Sequence, residues 1–175
     1  TSVSSAYLPS VLQVLRTEFP NVSVELREGT AFTLEEALFT GNVDITFRPL
    51  LPRLHEDGVC RSILWRERIV AVVRRDDPFA QREALSTEEL VTRPLIGSPA
   101  AAEARDGGFA LQQALGDAFA QADVVYLSDQ PTTLLALVRA GFGVGVVNEL
   151  ALFTAQQEDV CVVPLVSESA YRDVG

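Results

Sequence analysis

Short polar side chains and one arginine stand where helices begin and strand-like runs end. The segment Thr1–Ser5 is rich in hydroxyl groups and leads into a helical stretch, and the free N–H groups and dipole of a helix N-terminus favour an anion. Arg48 follows a strand-like run and could hold a carboxylate through two parallel hydrogen bonds. Two simpler alternatives stay open, because Ser4 or Ser5 could merely cap the helix and Arg48 could face solvent. These residue types predict a site that binds a small anion without transforming it.

The residues needed for catalysis or for a metal do not come together in the sequence. His55 is the single histidine and lies in a Pro-rich loop, which predicts a surface position. Serine occurs without the G-x-S-x-G elbow of the hydrolases. The pairs Glu35–Glu36 and Glu88–Glu89 fall in the first turns of predicted helices, where carboxylates complement the helix dipole. We therefore predict no catalytic residue, no metal site and no cofactor.

The glycines of the segment Gly141–Gly145 do not form a dinucleotide fingerprint. They follow a predicted helix and enter a predicted strand, whereas that fingerprint follows a strand and opens a helix. Gly141 is expected just after the helix end, and Gly143 and Gly145 are expected to allow close backbone packing.

Composition and charge exclude two broad classes of function. The net charge of −10 disfavours direct binding of nucleic acid, which needs a basic face. Apolar runs do not approach the roughly 18 residues of a membrane span. The absence of methionine indicates that the chain is not an intact translation product. Cys60 and Cys161 form no CxxC pair, and we expect buried free thiols in a reducing, cytoplasmic compartment.

Two helix–glycine–strand units organise the chain. The first, Thr33–Pro49, reads as an amphipathic helix, a stop at Gly41 and a buried strand that holds Asp44. The second, Pro131–Val147, repeats this order about a hundred residues later. Two such units predict a doubly wound α/β body with ligand-holding loops at strand ends.

The other elements are predicted from local periodicity. The run 69–73 is continuously apolar and β-branched, which is typical of a strand buried on both faces. Residues 100–108 are predicted to form a loop. Further helices are predicted over 6–19, 86–90, 109–119 and 149–156, and further strands over 22–27, 59–65, 94–97, 123–127 and 160–166.

Several spaced motifs resemble the effector-binding domain of LysR-type transcriptional regulators. In order they are Tyr7-Leu-Pro9, Phe19-Pro-Asn-Val22, Leu38–Ile45, Asp76–Ala80, Ser98-Pro99 and Leu137–Gly145. The resemblance implies a periplasmic-binding-protein-like fold of type 2, with two Rossmann-like α/β lobes joined by two crossover strands. Lobe I would comprise residues 1–69 and 145–175, and lobe II residues 70–144. Asn148 stands where the family usually has proline, and the family's first strand would precede Thr1.

The resemblance also implies an effector site in the cleft between the lobes. Ser2 would be the direct contact and Val146 an apolar floor. The simpler alternative for one wall is that Ser128 or Asp129 caps a helix. The full set implied for effector binding is Ser2, Val3, Thr30, Phe47, Arg48, Ser98, Pro99, Gln130, Thr132 and Val146.

The partners follow from the same resemblance. A small-molecule effector, a homodimer or homotetramer, and DNA bound through an upstream winged helix-turn-helix are expected, with no membrane. The helix near 6–18 of one copy would pack on the helix near 109–120 of the other. The alternatives are a solute-binding protein of a transporter, or a dehydratase or deaminase-type enzyme on the same fold.

Overall fold

A computed structural model describes residues 6–29, 31–49, 59–98, 109–128, 130–153, 155 and 157–175. Three single helical turns at 78–81, 116–121 and 149–152 are of the 3-10 type. The α-helices are α1 (Leu8–Glu18), α2 (Ala31–Phe39), α3 (Thr87–Leu90), α4 (Phe109–Leu115) and α5 (Pro131–Arg139). The strands are β1 (Trp65–Arg74), β2 (Leu95–Gly97), β3 (Val124–Leu127), β4 (Val144–Asn148), β5 (Val160–Pro164) and β6 (Tyr171–Val174).

One mixed sheet holds the described residues together, with the strand order β3-β2-β4-β1-β5. The strand β2 pairs in parallel with β3 and β4, while β1 is antiparallel to β4 and β5. Strand β6 pairs with the first half of β1 and continues along the edge that β5 occupies further on. Helices α4 and α5 make the crossovers between the parallel strands, as in a doubly wound fold.

The buried strand predicted at 69–73 is confirmed, and it extends from Trp65 to Arg74. Its residues alternate between two cores. Ile69, Ala71 and Val73 pack beneath α4, and Val70 and Val72 pack beneath α5. Since both faces are covered, every position in this part of the strand is apolar.

The packing role predicted for the glycines after α5 is confirmed. Gly141 has a positive φ of 81° and its N–H donates to the carbonyl of Val138 at 2.9 Å, which ends the helix. A Cβ on Gly143 would lie 2.4 Å from the backbone oxygen of Pro94. Glycine at this position therefore lets β4 approach the segment that leads into β2.

Three predicted strands in the first third of the chain are wrong. Residues 22–27, 43–48 and 59–64 have no regular strand structure, and the predicted buried residue Asp44 is exposed. An alternating pattern forms a strand only where a neighbour satisfies its backbone groups, and the described residues supply just one bridge here, between Pro49 and Val174.

Two helices end earlier than their periodicity indicated, and the predicted burial of the cysteines is wrong. The helix predicted over 109–119 is α-helical only to Leu115 before a 3-10 turn begins at Gly116. The one predicted over 149–156 is the single turn Glu149–Leu152. Both cysteines are free, but neither is fully buried. Cys161 is half-buried, and Cys60 is exposed because the segment before Trp65 is not in the sheet.

The division of the chain into lobes at residues 69 and 145 stays a prediction. Strand β1 pairs with β6 over Trp65–Arg68 and with β4 and β5 beyond. Residues 160–164 belong to lobe I in this prediction, yet they pair with residues 70–74 of β1, which belong to lobe II.

Candidate ligand-binding site

The carboxyl ends of three parallel strands meet at one edge of the sheet. Ser98 follows β2, Ser128 follows β3, and Asn148 ends β4. The N–H of Ser128 donates to the carbonyl of Gly97 at 2.9 Å, which fixes the first two loops side by side. We call Ser98, Ser128 and Asn148 with the start of α5 the carboxyl edge. Open α/β sheets bind ligands at this kind of edge.

The start of α5 adds polar groups to the carboxyl edge. Gln130 is the N-cap residue and makes no side-chain capping bond, and both Gln130 and Thr132 are exposed. The Ser128 hydroxyl accepts from the N–H of Gln130 at 3.2 Å. Ser128 therefore shapes the turn before α5 without capping the helix itself. The predicted residues Ser98, Gln130 and Thr132 follow the adjacent strands β2 and β3 at this edge of the sheet, and their role in binding stays a prediction.

Arg48 is buried against a glutamate on α2. Its Nη2 lies 2.9 Å from Oε1 of Glu35, and the arginine side chain is 5% exposed. The backbone of Arg48 exchanges two hydrogen bonds with Gly175, at 2.9 and 3.1 Å. The solvent-facing alternative for Arg48 is thus wrong. The dipole role predicted for Glu35 is also wrong, because α2 begins at Ala31 and places Glu35 in its second turn.

The other predicted site residues differ in how far they can be placed. Phe47 is half-buried. Val146 is fully buried in the core beneath α4, against Leu111 and Ala114. Ser2, Val3, Thr30 and Pro99 lie outside the described residues.

A polar network lies around the start of β1, its partner strand β6 and the turn that follows β4. Glu67 is 3% exposed and accepts from the N–H of Leu150 at 2.9 Å and from Nε of Arg172 at 2.6 Å. Arg68 donates two hydrogen bonds to the Glu149 carboxylate, at 3.0 and 3.1 Å. These bonds raise the pKa of the Arg68 guanidinium above its usual value. The network joins β1, β6 and the turn after β4.

A surface cavity of about 430 Å³ opens beside this network. Tyr7 and Trp65 form part of its wall, with ring centroids 4.9 Å apart. Leu150 and Phe153 line another part. The described lining residues include none of the predicted site residues, so this cavity is distinct from the carboxyl edge.

Sequence reasoning missed two amides that the tertiary structure buries. Oε1 of Gln113 and Oδ1 of Asn148 are both buried, and neither has a hydrogen-bond partner within the described ranges. The Nε2 group of Gln113 donates to the carbonyl of Tyr171. The one available signal was that Asn148 replaces a proline usual in the resembled family.

Within the described residues, no group of three or more His, Cys, Asp or Glu side chains is arranged to hold a metal ion. In the same part of the chain, no helix has the length and apolar character to cross a membrane.

The parallel unit β3-β2-β4, extended by antiparallel β1 and β5, defines a periplasmic-binding-protein-like α/β fold of type 2. The model of the LysR substrate binding domain matches residues 1–175. The chain therefore belongs to the LysR substrate-binding domain family, and the resemblance drawn from its motifs is confirmed.

Individual relatives agree with this membership. The HTH-type transcriptional regulator CysB of Haemophilus influenzae is 29% identical over 168 residues, which cover 93% of this chain and 49% of CysB. The HTH-type transcriptional regulator TtuA of Agrobacterium vitis is 30% identical over 175 residues, covering 95% of this chain and 54% of TtuA. The chain thus spans about half the length of these curated relatives.

Solved structures show the same fold. A full-length mutant of BenM superposes with a TM-score of 0.83 at 21% identity, covering 99% of this chain and 56% of that one. Oxidised OxyR gives a TM-score of 0.74 at 25% identity, covering 99% of this chain and 80% of that one.

Proposed function

We propose that the chain is the ligand-sensing domain of a bacterial LysR-type transcriptional regulator and binds a small anionic effector between its two lobes. The observation that carries this proposal is the convergence of Ser98, Gln130 and Thr132 at the carboxyl edge in a chain of this family. Thr30 and Ser2 would complete the opposite wall. The domain would work without catalysis, since the curated relatives are named transcriptional regulators.

The effector would act by shifting a balance between lobe orientations. A ligand can do this only through contacts that differ between the two states, typically by 1–3 kcal/mol. The network of Glu67, Arg68, Glu149 and Arg172 lies where the pairing of β1 changes from β6 to β4 and β5. It is therefore positioned to favour one orientation of the lobes over the other. DNA would be bound through a winged helix-turn-helix in the part of the regulator that this chain does not cover, and such a protein would work in the cytoplasm.

A ligand screen tests the proposed function directly. Isothermal titration calorimetry and thermal shift with aromatic acids, dicarboxylic acids and amino acids should identify at least one binder. Aromatic acids belong in the screen because the BenM effector-binding domain has been solved with its effector benzoate. At a ligand concentration 100 times the Kd, the folded state gains about 2.7 kcal/mol. A screen in which the melting temperature never rises would contradict the proposal.

The domain would also pair with a second copy through α1. This helix has no buried residue within one chain, and Val11, Val14 and Phe19 are 46%, 54% and 54% exposed. An apolar helix face of this kind is typical of an interface. The partner's α4 would cover it, giving a homodimer that could assemble further into a homotetramer.

We expect Val11→Glu to convert such a dimer into a monomer, because it places a charge in the apolar interface. Multi-angle light scattering of the chain over a range of concentrations measures this. Gln13→Glu, at an exposed position of the same helix, should leave the dimer intact. A parent chain that is monomeric at high concentration would count against pairing through α1.

A further inference from the structure

The side chain of Asn148 presents an acceptor that the fold does not satisfy. Asn148 is the last residue of β4 at the carboxyl edge, and its Oδ1 is buried with no hydrogen-bond partner in the described part of the chain. Buried polar atoms in native proteins are nearly always paired, because losing hydration without a replacement bond is unfavourable. This oxygen is therefore open to a donor from a bound water or from a ligand.

The side chains of β4 alternate between the two faces of the sheet, which shows on which face the Asn148 acceptor lies. Val144 and Val146 pack beneath α4, whereas Val147 packs beneath α5. Successive side chains of a strand point to opposite faces. Asn148 thus shares the α4 face with Val146, which is itself fully buried in the core.

A second unsatisfied acceptor comes from α4 itself. Gln113 uses Nε2 to bond the carbonyl of Tyr171, and its buried Oε1 has no partner in the described ranges. Tyr171 and Asn148 pair with the consecutive β1 residues Arg68 and Ile69 from opposite sides. Two strand spacings put the Cα atoms of Tyr171 and Asn148 about 10 Å apart, so this region of the α4 face carries two acceptors.

Within the described residues, no charged side chain donates a hydrogen bond to either of these oxygens. Ser98, Gln130 and Asn148 at the carboxyl edge are uncharged, and Arg48 is already ion-paired with Glu35. A ligand that offered only carboxylate oxygens could accept from the Nδ2 group of Asn148 but could donate nothing to Oδ1. Such a ligand would leave the buried Oδ1 without a hydrogen bond.

We propose that Asn148 is a specificity-determining residue whose Oδ1 accepts a hydrogen bond from an amino or hydroxyl group of the effector. The effector is then a small organic acid that also carries such a donor. This inference rests on the proposed function and narrows its ligand class.

Two matched ligand series test the inference on the 175-residue chain. One series is succinate, L-malate and L-aspartate, and the other is benzoate, 2-hydroxybenzoate and 2-aminobenzoate. Calorimetry should show a donor-bearing member binding about tenfold more tightly than the bare acid of its series, as expected for one hydrogen bond to a buried acceptor. Asn148→Leu should abolish this preference. The control Gln112→Leu, at an exposed position on α4, should retain it.

A charge-changing variant distinguishes the two kinds of donor. Asn148→Asp keeps an acceptor at the same place and adds a negative charge. If the natural donor is an ammonium group, this variant should strengthen the preference for L-aspartate over L-malate, because the added carboxylate attracts the positive charge. If the donor is a hydroxyl group, the hydroxy analogue should remain the tightest ligand of the parent chain.

The outcomes separate this inference from the proposed function. Equal affinity within a series that binds, or a preference that survives Asn148→Leu, would overturn the inference alone; the second result would indicate that a bound water supplies the donor. Failure of all six compounds to bind would contradict the proposed function, and the inference with it. Without ligand, Asn148→Leu should melt at or above the temperature of the parent. A fall of about 5 °C with Gln112→Leu unchanged would mean that Asn148 is structural and would also overturn the inference.

Discussion

Arg48→Met is expected to destabilise the chain by about 3–5 kcal/mol, which is the range for removing one partner of a buried ion pair. The guanidinium of Arg48 neutralises Glu35 at 2.9 Å in a region where the two side chains are 5% and 12% exposed. Without it, the Glu35 carboxylate keeps its desolvation penalty and loses the counter-charge that Arg48 supplies. Urea denaturation followed by circular dichroism measures the change.

A double substitution shows whether the loss comes from the charge. Replacing both Glu35 and Arg48 with leucine should recover most of the stability, because an apolar pair of similar size has no charge to desolvate. Arg16→Met, at an exposed position on α1, should change the free energy of unfolding by less than about 0.5 kcal/mol. If Arg48→Met lowered ligand affinity but not stability, Arg48 would be a direct ligand contact instead of a structural cation.

Glu67→Ala is expected to cost a similar 3–5 kcal/mol. It leaves the largely buried guanidinium of Arg172 without its carboxylate and removes the acceptor for the N–H of Leu150. Glu67→Gln should cost less, because an amide oxygen can still accept from one of these donors. Glu158→Ala, at an exposed position, serves as the matched control.

The effect of Glu67→Ala should be localised as well as large. Hydrogen exchange should accelerate most in β6 and in the turn Glu149–Leu152, the two elements that the carboxylate joins to β1. Uniform acceleration across the sheet would indicate that the Glu67 carboxylate supports the whole core and has no special role where β1 pairs with β6. Unchanged stability would contradict the importance given to the network.

Local sequence patterns predicted most of the sheet and its helices correctly. The β-branched run 69–73, the strands near 95 and 124–127, and the helix Pro131–Arg139 with Gly141 after it were all found. The protein covers both faces of the strands at 69–73 and 95–97 and one face of the helix, so the spacing of their apolar residues follows their burial. The family motifs predicted the fold class because they mark the ends of helices and strands.

The same patterns failed where an element depends on a neighbour. The segment 22–27 alternates apolar and polar residues but forms no strand, and Val22, Val24 and Leu26 are about half exposed or more. Alternation describes what a strand would bury if it were paired; it does not supply the partner. Helix lengths were overestimated near 116 and 152, because a 3-10 turn continues the chain in nearly the same direction.

The sequence by itself determined the family, the α/β class and the polar residues that follow parallel strands, since each depends on spacing over a few residues. Only the tertiary structure decided that Glu67 meets Arg172, that Arg48 is paired with Glu35, and that the oxygens of Gln113 and Asn148 are buried without a partner among the residues that the structure describes. Those facts join residues between 13 and 105 positions apart. Contacts of that kind depend on the path of the whole chain, which no local periodicity records.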